Sequence, residues 1–285
     1  MRSWMAKLNW LGLAAILGAQ ACAPVRDFDA GSNLASGSRF GPSVDRSGQP
    51  VEAEFSPDRI APAFREIVFR YEFHFRDGRL IDQAIPKPLK RWQGRVRYRL
   101  VGDGVTERDI EVTQELVARL GALTGLDFQR SEEAHDLLIS IASPEGRKDV
   151  AQRLDQAGLP GYRQRYEVWQ RTPSWQCGAT LSSDAEDPNR LVYAHVFLRA
   201  ESSTSTRVAC LHEEITQSLG LTNDSDKARP SIFNDDHEFK RLTRHDRLLV
   251  KTLYDPRLRA GMSADEAMPV ARQILGELMA GPGQI

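Results

Sequence analysis

The stretch CLHEEITQSLGLTND, residues 210–224, limits what this chain can fold into more than any other segment. Positions 213 and 217 lie one turn apart on a helix, so the Glu213 and Gln217 side chains face one point. Gly220 follows directly and is free to take φ > 0 and turn the chain back. That reversal brings a third side chain, from Asn223, towards the same point. The segment therefore specifies a helix, a glycine turn and a polar cluster of Glu213, Glu214, Gln217, Asn223 and Asp224.

The flanking patterns supply the rest of the fold. Val96, Tyr98 and Leu100 alternate with Arg95, Arg97 and Arg99, the signature of a half-buried strand. A helical face follows in Ile110, Leu116, Val117, Leu120 and Leu123, with Gly125 as its stop. LDFQRS, DLLISIA and RLVYAHVFLRA then read as strands. The charged and aromatic segment 145–175 reads as helices or a long covering loop. After the central helix, placed at 208–219, two more helices close the chain. Thr243 with Asp246, and Ser263 with Glu266, mark their starts as capping boxes, although Pro269 falls in the first turns of the second. The order strand, helix, three strands, three helices predicts an α+β fold, a mixed twisted sheet with helices against it. Upstream, Phe64, Ile67, Val68 and Tyr71 predict a helix over 61–75, and DGRLIDQAIPKPLKRW reads as a loop. The resulting division is residues 1–21, 22–58, 59–91 (helix and connecting loop) and 92–285 (the globular domain).

The central segment resembles the extended motif of the metzincins, zinc endopeptidases whose matrix-metalloproteinase branch reads H-E-x-x-H-x-x-G-x-x-H. Glu213 stands at the first His, Glu214 at the general-base Glu, Gln217 at the second His, Gly220 at the Gly and Asn223 at the third His. PSIFND, residues 230–235, resembles the tight turn that the family places beneath its metal, with Phe233 where Met is usual. Residues 242–254 resemble its closing helix, LTxxDxxxxxxLY. The pattern CxxEExTQxLGLxND followed by FND is also similar to a family of uncharacterised bacterial secreted proteins, which brings no established activity. In an active metzincin three imidazoles hold zinc and the Glu activates its water. Here one carboxylate and two amides replace those imidazoles. Zinc is not expected, because amide oxygens suit a hard cation such as calcium better. His212 starts an HE pair, but Thr216 stands where the second His would be, so His212 is read as a partly exposed helix residue. His237 and His245 lie in a charged stretch and are read as solvated. Arg207, Arg229 and Arg241 are the candidate counter-charges for the two glutamates.

The N-terminal segment points to a compartment outside the cytoplasm. Arg2 and Lys7 precede a short apolar run, residues 8–19, and small residues lead to Cys22. This is a signal peptide by length rather than a membrane span, and its end resembles a bacterial lipoprotein signal with Cys22 as the lipidated residue. Cleavage near Ala21 without lipidation is the alternative. Residues 22–58 are rich in Gly, Ser and Pro and read as a tether. In an oxidising compartment the remaining Cys177 and Cys210 form a disulfide. The full chain carries a formal charge of −1, which gives no footprint for nucleic acid.

Three functions fit these features. The first is a non-catalytic binding domain, anchored in the cell envelope on the periplasmic side or else secreted, with an unidentified protein or peptide partner. The second is a hydrolase using Glu214 as general base, marked by an ion among Glu213, Gln217, Asn223 and Asp235. The third is a purely structural envelope lipoprotein.

Overall fold

A computed structural model of the protein describes residues 56–281, apart from 77–78, 157, 159–160, 226–227 and 235–238. The signal segment, Cys22, Asp235 and His237 lie outside the described residues. Five strands form the main sheet: β3 (Arg95–Val101), β4 (Asp127–Arg130), β5 (Leu137–Ala142), β6 (Cys177–Ser183) and β7 (Leu191–Arg199). Their spatial order is β4-β3-β5-β7-β6, and all neighbours are parallel except β6, which runs antiparallel to β7. The α+β expectation holds.

Parallel neighbours need crossovers, and helices supply them. α2 (Glu107–Thr124) links β3 to β4. Thr106 and Asp109 cap its start reciprocally, and Gly125 ends it in the left-handed conformation at φ 74°. α3 (Arg147–Gln156) and α4 (Tyr162–Gln170) lie between β5 and β6. All six residues of β5 are buried, because both of its faces are covered. On one face Leu137, Ile139 and Ile141 join the larger core. On the other, Leu138 and Ala142 join a second core with Tyr162, Tyr166, Trp169 and Phe197. The 145–175 segment thus forms two helices that cover this second face. Arg199, at the end of β7, fixes them from below by donating to the carbonyls of Trp169, Thr172 and Trp175, at 3.1, 3.0 and 2.7 Å.

α2 and α5 (Thr204–Gln217) lie against the first face, and α6 (Arg244–Leu253) and α7 (Ala264–Ala280) pack outside them in the same core. Both predicted capping boxes are present at the starts of α6 and α7. α1 (Pro57–Val68) adds Ile60, Phe64 and Ile67 to the same core, against α6 and α7.

The structure corrects the segment after α1. A hairpin of β1 (Arg70–Arg76) and β2 (Arg79–Pro86) replaces the last turns of the expected helix and much of the expected loop. The helical spacing ends at Val68. From there Tyr71 and Phe73 alternate with Arg70, Glu72 and His74, a period of two.

The Cys177–Cys210 disulfide is present and joins the first residue of β6 to the middle of α5. It closes a loop over a sequence separation of 33, which corresponds to about 3–4 kcal/mol in the chain-entropy model. Replacing both cysteines with alanine is expected to lower the urea-unfolding free energy by that order. A loss below about 1 kcal/mol would show that the crosslink does not constrain the unfolded chain.

Candidate functional site

The central helix starts at Ser203, whose hydroxyl accepts from the Thr206 N–H at 3.1 Å. One turn on, the buried Arg207 lies 3.5 Å from the buried Asp109 of α2 and donates to the Gly104 carbonyl at 3.2 Å. These contacts fix the rotation of α5 and turn Ala209, Glu213 and Gln217 towards β6 and β1.

Its far end is held by three donors from two separate segments. Trp92 Nε1 donates to the Ser218 carbonyl at 2.8 Å, Tyr254 Oη to Leu219 at 2.9 Å and Lys87 Nζ to Gly220 at 3.2 Å. Helix ends leave carbonyls without partners, and these three side chains satisfy successive ones. Tyr254 is the last residue of the LTxxDxxxxxxLY match, so that pattern has a physical task here. Burial, with Lys90 nearby, pulls the Lys87 amine down to about 7. Gly220 turns the chain at φ 116°. The turn at residues 230–233 is tied to the start of α6, where Asp246 accepts from the Ser231 hydroxyl and the Ile232 N–H. Phe233 is fully buried in the main core.

Between α5, β6, β1 and the end of α4 lies a cleft of about 410 Å³. Glu213, Glu214, Gln217 and Asp224 all line it. Gln217 Nε2 donates to Asp224 Oδ1 at 2.8 Å. Asn223 is not among the lining residues; its amide donates to the carbonyls of Glu66 at 3.2 Å and Asp224 at 2.6 Å. Burial first, and the Asp224 charge second, push the Glu214 carboxyl up to about 8. The walls are aromatic: Tyr71 and Phe73 from β1, Trp169 at the end of α4 and Trp175 just before β6. The rings of Phe73 and Trp175 pack at 4.8 Å. Sequence reasoning missed the β1 side of the cleft because it carried the helix through that segment; the Tyr71/Phe73 alternation is the signal that finds it.

Two of the predicted counter-charges act elsewhere. Arg207 is on Asp109, and Arg241 lies 3.8 Å from Glu115 and 3.5 Å from His212 Nε2. Neither they nor Arg229 line the cleft. His212 is buried rather than partly exposed, because α5 packs it under the chain entering α6. Its Nδ1 accepts the Leu242 N–H at 3.3 Å, and burial, then Arg241 and Arg119, hold it down at about 3. His245 is likewise buried, not solvated, 3.8 Å from Asp246 in the first turn of α6.

The described residues do not fit zinc. Among the described residues, one group offers three potential ligand atoms within 4.8 Å: Cys177 Sγ and the carboxyls of Glu213 and Glu214. Cys177 is in the disulfide, so it offers no thiolate, and two carboxyls without imidazole are a poor zinc set. Ser140 and His195 form a second polar pair at 2.8 Å. Both are buried in the sheet and neither lines the cleft, and burial, with His135 next, holds His195 at about 3.

Comparison with known proteins returns no curated relative. A family model, described as protein of unknown function (DUF2927), matches residues 57–273. That span runs from the first residue of α1 into α7 and includes both walls and the floor of the cleft, and the chain belongs to this family of unknown function.

Proposed function

We propose that the protein is a non-catalytic binding domain on a metzincin-like scaffold, tethered in the cell envelope through Cys22, with its cleft as the seat of a protein or peptide partner. One observation carries this reading. The cleft ends on Glu213, Glu214, Gln217 and Asp224, a floor of three carboxyls and one amide in which Gln217 bonds Asp224, where the resembled enzymes carry imidazoles. The glycine turn after α5 and the Tyr254 contact support the scaffold part. The partner part is supported by β6, the last strand of the sheet, whose residues 177–181 line the cleft and offer main-chain groups to an extended segment.

Metal analysis and peptide cleavage test it together. Wild-type protein purified without added metal is expected to hold no stoichiometric zinc and to cleave no generic peptide. Glu213→His with Gln217→His is expected to create a zinc site, with Asp224 as third donor and Glu214 beside it as base. Stoichiometric zinc in the wild type, or a folded double variant that binds none in calorimetry, overturns the reading. For the tether, mass spectrometry of the mature protein should find an acylated N-terminal Cys22; an unmodified terminus removes the anchor.

A second reading, a metal-free hydrolase, is favoured by the Glu214 carboxyl, which keeps its proton near neutral pH beside Glu213, as a general acid must. Peptide cleavage by wild type that disappears in Glu214→Gln would establish it in place of the binding reading.

A further inference from the structure

We infer that the cleft receives a basic side chain, a guanidinium or ammonium on an apolar stem, carried by a polypeptide partner. The inference rests on the binding reading above and names the chemistry that reading leaves open.

Carboxyl placement is the first ground. Among the described residues, Glu72 from β1, Glu213 and Glu214 from α5 and Asp224 after the glycine turn bring carboxyl groups to the cleft, with Arg165 from α4, His74 from β1 and, at the rim, Lys87 as basic groups beside them. The second ground is a single buried carboxyl. Glu214 is 7% exposed, yet its carboxyl receives no hydrogen bond from any described residue, and the neighbouring charge that acts on it is the like charge of Asp224. A buried polar group left in this way is costly. A donor entering from the cleft removes that cost, and a cationic donor also relieves the repulsion between the two carboxyls. The third ground is the wall. Tyr71, Phe73, Trp169 and Trp175 suit an alkyl stem, and aromatic faces attract a cation. The same chemistry already operates at the rim and beneath it. Lys87 Nζ lies 5.4 Å from the Tyr71 ring centre, and the Arg199 guanidinium lies 4.6 Å from that of Trp169.

Binding a cation favours the ionised form of Glu214, so it should release a proton near neutral pH. The test is calorimetry at pH 7 in two buffers of different ionisation enthalpy, with the intact mature protein. The probes are capped nonapeptides of small apolar residues with one central Arg, with citrulline (the neutral isostere) or with Glu, and hexylammonium as a free amine. The Arg peptide should bind about tenfold or more tightly than the citrulline peptide and should release close to one proton. Hexylammonium should bind more weakly than the Arg peptide; equal binding would mean that the free amine, not a polypeptide, is the ligand and would overturn that part. Glu214→Gln should abolish proton release and most of the Arg preference, and Asp224→Asn should reduce both. Equal affinity for Arg and citrulline, preference for the Glu peptide, or no binding by any probe overturns the inference. None of these outcomes alters the zinc and cleavage results that decide the binding reading.

Discussion

Replacing Gly220 with alanine should cost more than about 4 kcal/mol of folding stability, the range reserved for changes with a severe and specific cause. The cause is double here. Gly220 has φ 116°, which L side chains rarely adopt. A Cβ built there would also lie 2.2 Å from the Lys90 carbonyl oxygen. That oxygen is backbone in the segment that delivers Lys87 and Trp92 to the end of α5, so moving it pulls on two of the three donors that hold the helix. Gly125→Ala is the control. Gly125 also has positive φ, 74°, but nothing lies within 4 Å of a Cβ there. It should cost only the conformational term of roughly 1–2 kcal/mol. Urea unfolding of both variants separates steric closure from backbone conformation. Equal losses would mean that the chain does not pass Lys90 as described. A folded Gly220→Ala variant should also lose the cleft floor, because Thr222, Asn223 and Asp224 follow the turn.

The Gly220 turn was legible because only one residue type tolerates such a conformation, and the polar spacing around it has no other simple explanation. Its consequences were less legible. That Gln217 bonds Asp224 while Asn223 bonds Glu66 depends on where α1 lies, 157 residues earlier in the chain. The strands β3, β5 and β7 carried strong period-two or continuous apolar patterns, and their sheet could be inferred. The β1–β2 hairpin could not, because Phe64, Ile67, Val68 and Tyr71 fit one helical face although the last of these belongs to the strand. Burial of His212 and His245 went unseen for a related reason. Leu242 folds back over α5 and covers the His212 ring, and His245 is buried in the first turn of α6. For His212, local composition cannot report a lid supplied from 30 residues away. The disulfide was legible by chemistry alone, from two remaining cysteines and the oxidising compartment expected from the N-terminal segment.

Glu214→Gln should stabilise the protein with an advantage that grows as pH rises. The Glu214 carboxyl is pushed up to about 8 in the folded protein from an ordinary value near 4.5, first by burial and then by Asp224. Between these values the folded state holds a proton that the unfolded state has lost, so stability falls as pH rises. The contribution is fully present below 4.5 and gone above 8. Its slope is about 1.4 kcal/mol per pH unit, so the gap between variant and wild type should open from near zero at pH 4.5 to roughly 3 kcal/mol at pH 7, as an upper bound. Other buried groups act in the opposite sense. His195 and His212, both held at about 3, contribute stability that is present above their ordinary value and lost as pH falls. Lys87, held at about 7, stays protonated in the unfolded chain well above that pH, so its term rises with pH. A single wild-type curve mixes all of these. The difference between the two proteins at each pH removes the histidine and lysine terms, because they are common to both, and leaves the Glu214 carboxyl with the neighbours that face it: Asp224 and Glu213 on the floor, Glu72 and His74 from β1, and Arg165 from α4. Urea unfolding from pH 4.5 to 8 measures that difference directly. Parallel curves would mean that Glu214 ionises in the folded state at its ordinary value, and the cleft would then have no buried proton to release to an incoming cation.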